Sequence, residues 1–112
     1  LGWVYGSMAI VHESLGEFDL ALASYNKSLT IYLKHEGPNS VTVGLTYNNM
    51  AIVYSAQGKY DLALEYFDKA LTIRLKLGAA HSDTIETYKS IADVYEKQGD
   101  SEKAMEVRAK IV

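Results

Sequence analysis

TYNNMAIVYSAQGKYDLALEYFDKALTIRL, residues 46–75, reads as one helix–turn–helix unit, and the sequence on either side repeats it imperfectly. Glycine sets the alignment. The run GEFDLAL starts at Gly16, GKYDLAL at Gly58 and the weaker GDSEKAM at Gly99, spacings of 42 and 41 residues. A period in this range marks a stack of supersecondary units, each unable to bury its apolar face alone. The fold this predicts is all-α: a solenoid of three helix–turn–helix repeats over about residues 2–37, 41–79 and 83–112.

Inside each unit the apolar residues recur at helical spacing. Tyr47, Met50, Ala51 and Tyr54 fall at i, i+3, i+4 and i+7, one stripe of a helix. Tyr5, Met8, Ala9 and His12 repeat the stripe upstream, and Tyr88, Ile91, Ala92 and Tyr95 downstream. Gly16, Gly58 and Gly99 close these first helices, because glycine accepts the left-handed conformation of a helix C-terminus. The second helices bury Ala21, Leu22 and Tyr25, then Ala63, Leu64 and Phe67. The third has Arg108 in the aromatic place. The spacing predicts helices over 2–15, 17–35, 41–57, 59–77, 83–98 and 101–112. Ser40 is the expected cap of the third, after the helix-stopping Gly37-Pro38. Asp83, with Glu86 three residues on, is the expected start of the fifth. Ala9, Ala51 and Ala92 share one position, where a methyl group lets two helix backbones approach and neighbouring copies stack.

Composition narrows the function classes. Among 112 residues, 48% are apolar and the net charge is −3, which suits a folded chain and lacks the basic stripe of a nucleic-acid binder. No stretch reaches the roughly 18 apolar residues of a membrane span. Cysteine is absent, which excludes disulfides and thiolate metal sites and agrees with a cytoplasmic protein. His12, His35 and His81 have no metal-ligand spacing. There is no phosphate loop after a strand and no recognisable nucleophile–base set. No metal, no cofactor and no catalysis are therefore expected. Asn26-Lys27-Ser28 matches a glycosylation acceptor but falls inside a predicted helix. The chain opens on Leu1 within an apolar pattern, as expected of a piece cut from a longer protein.

The ordered set Tyr47, Met50, Ala51, Tyr54, Gly58, Ala63, Phe67 and Ala70 resembles the tetratricopeptide repeat signature. The first copy matches it except at His12 and Ser28, and the third departs at Arg108. The period exceeds the family's usual length of about 34 residues. Its form, with Tyr47-Asn48-Asn49-Met50-Ala51 and the linker from Leu77 to Asp83, is similar to kinesin light chain repeats. The resemblance implies a right-handed superhelix whose first helices line a concave groove for an extended peptide or a partner helix.

Carried onto this chain, the resemblance places Trp3, Gly6, Ile10 and Glu13 in the groove. From the second repeat it adds Leu45, Asn48, Asn49, Ile52 and Ser55, and from the third Glu86, Lys89, Ser90, Asp93 and Glu96. Asn48 and Asn49 are the principal candidates, because an amide both donates to and accepts from a peptide backbone. The competing reading has one or both of them facing solvent or braced against a neighbouring helix. A clamp for a C-terminal carboxylate is excluded: beside Asn49 its other positions hold Gly6, Ile10, Glu86 and Ser90, with no cation. Four acidic groove positions against Lys89 would repel an acidic peptide, so a neutral, apolar or mildly basic ligand is expected. Trp3 and Ile10 are either a ligand anchor or the contact for a further repeat. The leading function is a non-catalytic scaffold for a protein or peptide partner. The second is a structural spacer or homo-oligomer that stacks through the Trp3 end and the Val107, Ile111 and Val112 end.

Overall fold

The computed structural model describes residues 2–78 and 81–111, and at residues 81 and 82 the backbone alone. Ala79 and Ala80 of the second expected linker, and Val112 of the expected stacking end, lie outside these. Six helices follow one another: α1 Gly2–Ser14, α2 Phe18–Glu36, α3 Val41–Ala56, α4 Tyr60–Lys76, α5 His81–Lys97 and α6 Ser101–Arg108. They form three antiparallel pairs, α1/α2, α3/α4 and α5/α6, and each pair packs on the next through α2 on α3 and α4 on α5. The fold is an all-helical repeat solenoid, with no strand among the described residues.

The turn inside each pair is built the same way three times. Gly16, Gly58 and Gly99 have φ of 77°, 78° and 82°. Beyond each glycine an amide reaches back five residues: Glu17 to the His12 carbonyl at 2.8 Å, Lys59 to Tyr54 at 2.9 Å and Asp100 to Tyr95 at 2.8 Å. This is the Schellman closure, which satisfies carbonyls the helix itself leaves unpaired. The Ser40 side chain accepts from the Val43 amide at 3.1 Å, as the sequence predicts.

The small residues work as expected. Ala9, Ala51 and Ala92 on the first helices, and Ala21, Ala63 and Ala104 on the second, are completely buried. Gly2 and Gly44, one period apart, take this further. A Cβ on Gly2 would stand 2.8 Å from the Tyr32 ring, and one on Gly44 3.2 Å from Ile73 Cγ2. The core runs in two linked clusters. One joins Ala9, Ala21, Leu22 and Tyr25 to Met50 and Val53; the other joins Ala51, Ala63 and Phe67 to Ile91 and Val94.

Three sequence expectations are corrected. Asp83 does not cap α5, which starts at His81. Instead the Asp83 carbonyl accepts from Arg74 Nη1 at 3.1 Å and from the Thr87 hydroxyl at 3.1 Å, tying α4 to α5. The last helix stops at Arg108, where the Lys110 and Ile111 amides bond only three residues back and tighten the final turn. Met8 shares its stripe position with the buried Met50 and Ile91, yet it is exposed, because among the described residues no helix lies against that side of α1.

Candidate functional site

The first helices stand side by side, and a cleft opens between each neighbouring pair. The cleft between α1 and α3 encloses about 190 Å³. Its walls are Trp3 and Ile10 from α1 and Leu45 and Asn49 from α3, with Tyr25 and Tyr32 of α2 contributing to its lining. The cleft between α3 and α5 encloses about 240 Å³ and is lined by Ile52 and Ser55 on one side and Ser90, Asp93 and Lys97 on the other. Trp3, Ile10, Leu45 and Ile52 are all exposed, large and apolar. Helix periodicity puts them there: Trp3 and Ile10 are seven residues apart, as are Leu45 and Ile52, so each pair lies on one stripe.

The structure brings together Trp3, Ile10, Leu45 and Asn49 in the first cleft, and Ile52, Ser55 and Asp93 in the second. It does not bring in Asn48 or Lys89. Asn48 is 3% exposed and lines neither cleft. It occupies the repeat position of Gly6, whose Cβ would meet the Ser28 hydroxyl of α2 at 3.7 Å. That position faces the second helix of the same pair; at Gly6 it also borders the first cleft, whereas Asn48 lines neither. Its Oδ1 finds no hydrogen-bond partner among the described residues. Lys89 has the same register but is exposed, because α6 is too short to cover it.

Several contributions escaped the sequence reading, Ser7, Thr42 and Thr46 of the first cleft among them. Lys97 stands one turn beyond Asp93, an i, i+4 neighbour that periodicity could have flagged. Tyr25 and Tyr32 belong to a second helix, and nothing in their spacing says that a groove assigned to first helices reaches them.

The groove electrostatics also differ from a count of charges. Arg108, out of pattern in the repeat, reaches back to α5 and pairs with Glu96 and, at 3.6 Å, with Asp93. Its hydrogen bond holds the Glu96 carboxyl below the usual carboxylate range and raises the Arg108 guanidinium further. Glu13 accepts from the Tyr25 hydroxyl at 3.0 Å. Burial first, and then this carboxylate, push the Tyr25 phenol well above the ordinary tyrosine value. Arg108 thus offsets one negative charge, shared between Glu96 and Asp93, while Glu13 keeps its full charge in accepting from the neutral Tyr25 hydroxyl.

Stacked antiparallel helix pairs with a cleft between neighbouring first helices define an all-helical repeat solenoid. A family model described as the tetratricopeptide repeat matches residues 42–107, and a second of the same description matches residues 4–35. The chain belongs to the tetratricopeptide repeat family, whose members are generally non-catalytic interaction modules. No curated protein matches it in sequence.

Several solved structures share the fold. BtubC (BKLC) from P. vanneervenii superposes with a TM-score of 0.84 at 24% identity, over 98% of this chain and 47% of that one. The TPR2AB domain of yeast Sti1, solved as a pHSP90 complex, gives 0.81 at 22%, over 98% and 39%. Nearly identical TPR-like repeats of the kinesin light chain type from Podosopora anserina give 0.81 at 16%, over 96% and 51%. The chain therefore spans about half or less of the length of each. Among the described residues no helix is long and apolar enough to cross a membrane.

Proposed function

We propose that this chain is a non-catalytic, cytoplasmic protein-interaction module whose groove takes an extended peptide or a partner helix. The observation that carries this reading is the cleft between α1 and α3, where exposed Trp3, Ile10 and Leu45 surround the half-buried amide of Asn49. Large apolar side chains beside a few polar groups, Asn49 with Ser7, Thr42 and Thr46, suit a ligand that buries an aromatic or aliphatic anchor and offers its backbone to the amide. Beyond it the ligand meets a more polar cleft carrying both Asp93 and Lys97. The peptide-type complex of the Sti1 neighbour supports the general mode, and the cleft chemistry here indicates an apolar anchor in place of a carboxylate tail.

Selection from a displayed peptide library tests the proposal. Binders should carry a large apolar anchor, and Leu45→Glu should abolish their binding while melting stays unchanged, because Leu45 is exposed. Binding that survives both Leu45→Glu and Ile10→Glu would move the partner off this groove. The second reading, a spacer that associates through its ends, is favoured by one observation only, the apolar outer side of α1.

A further inference from the structure

A further cleft, of about 380 Å³, opens on an edge of the central unit away from the groove. It is lined by Pro38 of the α2–α3 linker, Tyr47 of α3, and Asp68, Lys69, Thr72 and Ile73 of α4. Tyr47 stands about 200° round α3 from Leu45, so this edge is not the groove. It stays open although the α3/α4 pair is packed between α2 and α5. Pro38, the Tyr47 ring and the nearly buried Ile73 supply its apolar surface. The Lys69 ammonium lies over the Tyr47 ring at 5.5 Å and the Tyr66 ring at 4.8 Å. The first unit repeats this with Lys27 over Tyr5 at 5.5 Å. Two turns on along the same stripes come Lys34 and Lys76, so that residues 26–34 read NKSLTIYLK and residues 68–76 DKALTIRLK. All four lysines are exposed, and among the described residues none makes an ion pair. A helix C-terminus favours cations in general, which accounts for Lys34 and Lys76 singly but not for their alignment with Lys27 and Lys69.

We infer that this edge, across α2 and α4, docks an acidic protein segment. The segment seats one apolar side chain in the cleft of Pro38, Tyr47 and Ile73 and sets carboxylates against the four lysines. Charge complementarity decides the occupant. Four unpaired cations share one edge of a chain whose net charge is −3. The tyrosine rings already hold two of the ammonium groups, so a carboxylate meets cations with less freedom left to lose. Acidic groups are interspersed: Asp68 lines the cleft and Glu65 is one turn from Lys69. A uniform polyanion, nucleic acid or an anionic bilayer, meets these along with the lysines, whereas a peptide places its carboxylates between them. The first unit has Asn26 and Ala23 in the places of Asp68 and Glu65. The α2 half of the edge therefore takes the denser run of carboxylates, and the α4 half takes the apolar anchor. This edge is a different face from the groove, and the inference does not rest on the peptide-binding reading.

The test titrates the chain with a fluorescein-tagged synthetic peptide that has leucine between two runs of glutamate. Binding, read by fluorescence anisotropy, should weaken as salt rises. Lys34→Ala with Lys76→Ala should weaken it about fivefold with Tm unchanged, since both side chains are exposed and unpaired among the described residues. Asp68→Asn should strengthen it about threefold by removing the carboxylate from the cleft. Serine for leucine in the peptide should weaken it about tenfold by emptying the cleft. Leu45→Ser, in the groove, should leave it unchanged. Three results would overturn the inference. One is no binding of the glutamate peptide. Another is binding that ignores the paired lysine substitutions. The third is tighter binding of single-stranded DNA or of phosphatidylserine vesicles, lost with the same two lysines, which would make another class of polyanion the occupant.

Discussion

Gln57, at the end of α3, donates from Nε2 to Asp19 Oδ1 at the start of α2, 3.1 Å away and 38 residues back in the chain. One period later Gln98 donates to Asp61 at the same distance. Two unrelated surface contacts would not keep register, so these bonds belong to the junction between units. Each is exposed, so each should contribute only about 0.5–1.5 kcal/mol. Gln57→Ala and Gln98→Ala should lower unfolding free energy by that amount and add in the double variant, being far apart. A double-mutant cycle with Asp19→Ala, followed by urea denaturation, checks the pair. A coupling energy of zero would mean the bond does not persist in solution.

Ala51 tests the packing. It is completely buried in the cluster that joins α3, α4 and α5. Ala51→Glu should cost several kcal/mol, since it buries an unpaired charge in a contact with no room for the chain. Against a total of about 5–15 kcal/mol, the array should be largely unfolded at 37 °C by circular dichroism. Met8→Glu, at an exposed position, should melt close to the parent.

The two asparagines should separate. Asn49 faces the first cleft, and Asn49→Ala should weaken a selected peptide about tenfold, in line with the loss of one hydrogen bond, with Tm nearly constant. Asn48 is buried, and Asn48→Ala should lower stability by roughly 0.5–3 kcal/mol while leaving the affinity of the folded fraction unchanged. Thermal melts beside peptide titrations decide it. Equal behaviour of the two variants would contradict the placement of Asn48.

Tyrosine burial predicts an alkaline limit. Burial and then Glu13 raise the Tyr25 phenol, and burial and then Tyr66 raise that of Tyr54. Folding thus favours the protonated phenols. Their contribution is complete below the unfolded tyrosine value of about 10 and is lost as pH rises from there through the folded values. Stability should fall steadily above about pH 10, and Tyr25→Phe should flatten part of that fall. Urea midpoints measured across the alkaline range give the slope. A slope unchanged by Tyr25→Phe would show that this phenol is not protected.

At the acid side the sign reverses. Arg108 lowers the Glu96 carboxyl, so this pair stabilises above the ordinary carboxylate value and fades as pH falls through the folded one. Arg108→Ala should return the Glu96 titration towards the ordinary value in an NMR pH series.

The sequence alone determined the fold, because in a repeat array the local pattern and the global contact are one statement. The Gly16, Gly58 and Gly99 turns, the buried Ala9, Ala51 and Ala92, and the pairing of six helices all follow from a 42- and 41-residue period carrying helical stripes. The last helix's early end at Arg108 escaped it, since a helix end depends on capping bonds that propensity barely encodes. Tertiary structure decided the site. Position in the repeat cannot say whether a neighbouring helix covers a residue. Asn48 and Lys89 share one position, yet the long α4 leaves Asn48 buried and the short α6 leaves Lys89 exposed. Met8 and Met50 likewise share one, and among the described residues a helix covers Met50 but not Met8. The count of groove charges left out Arg108 for the same reason: it lies twelve residues from Glu96 in the chain and meets it only because α6 folds back along α5.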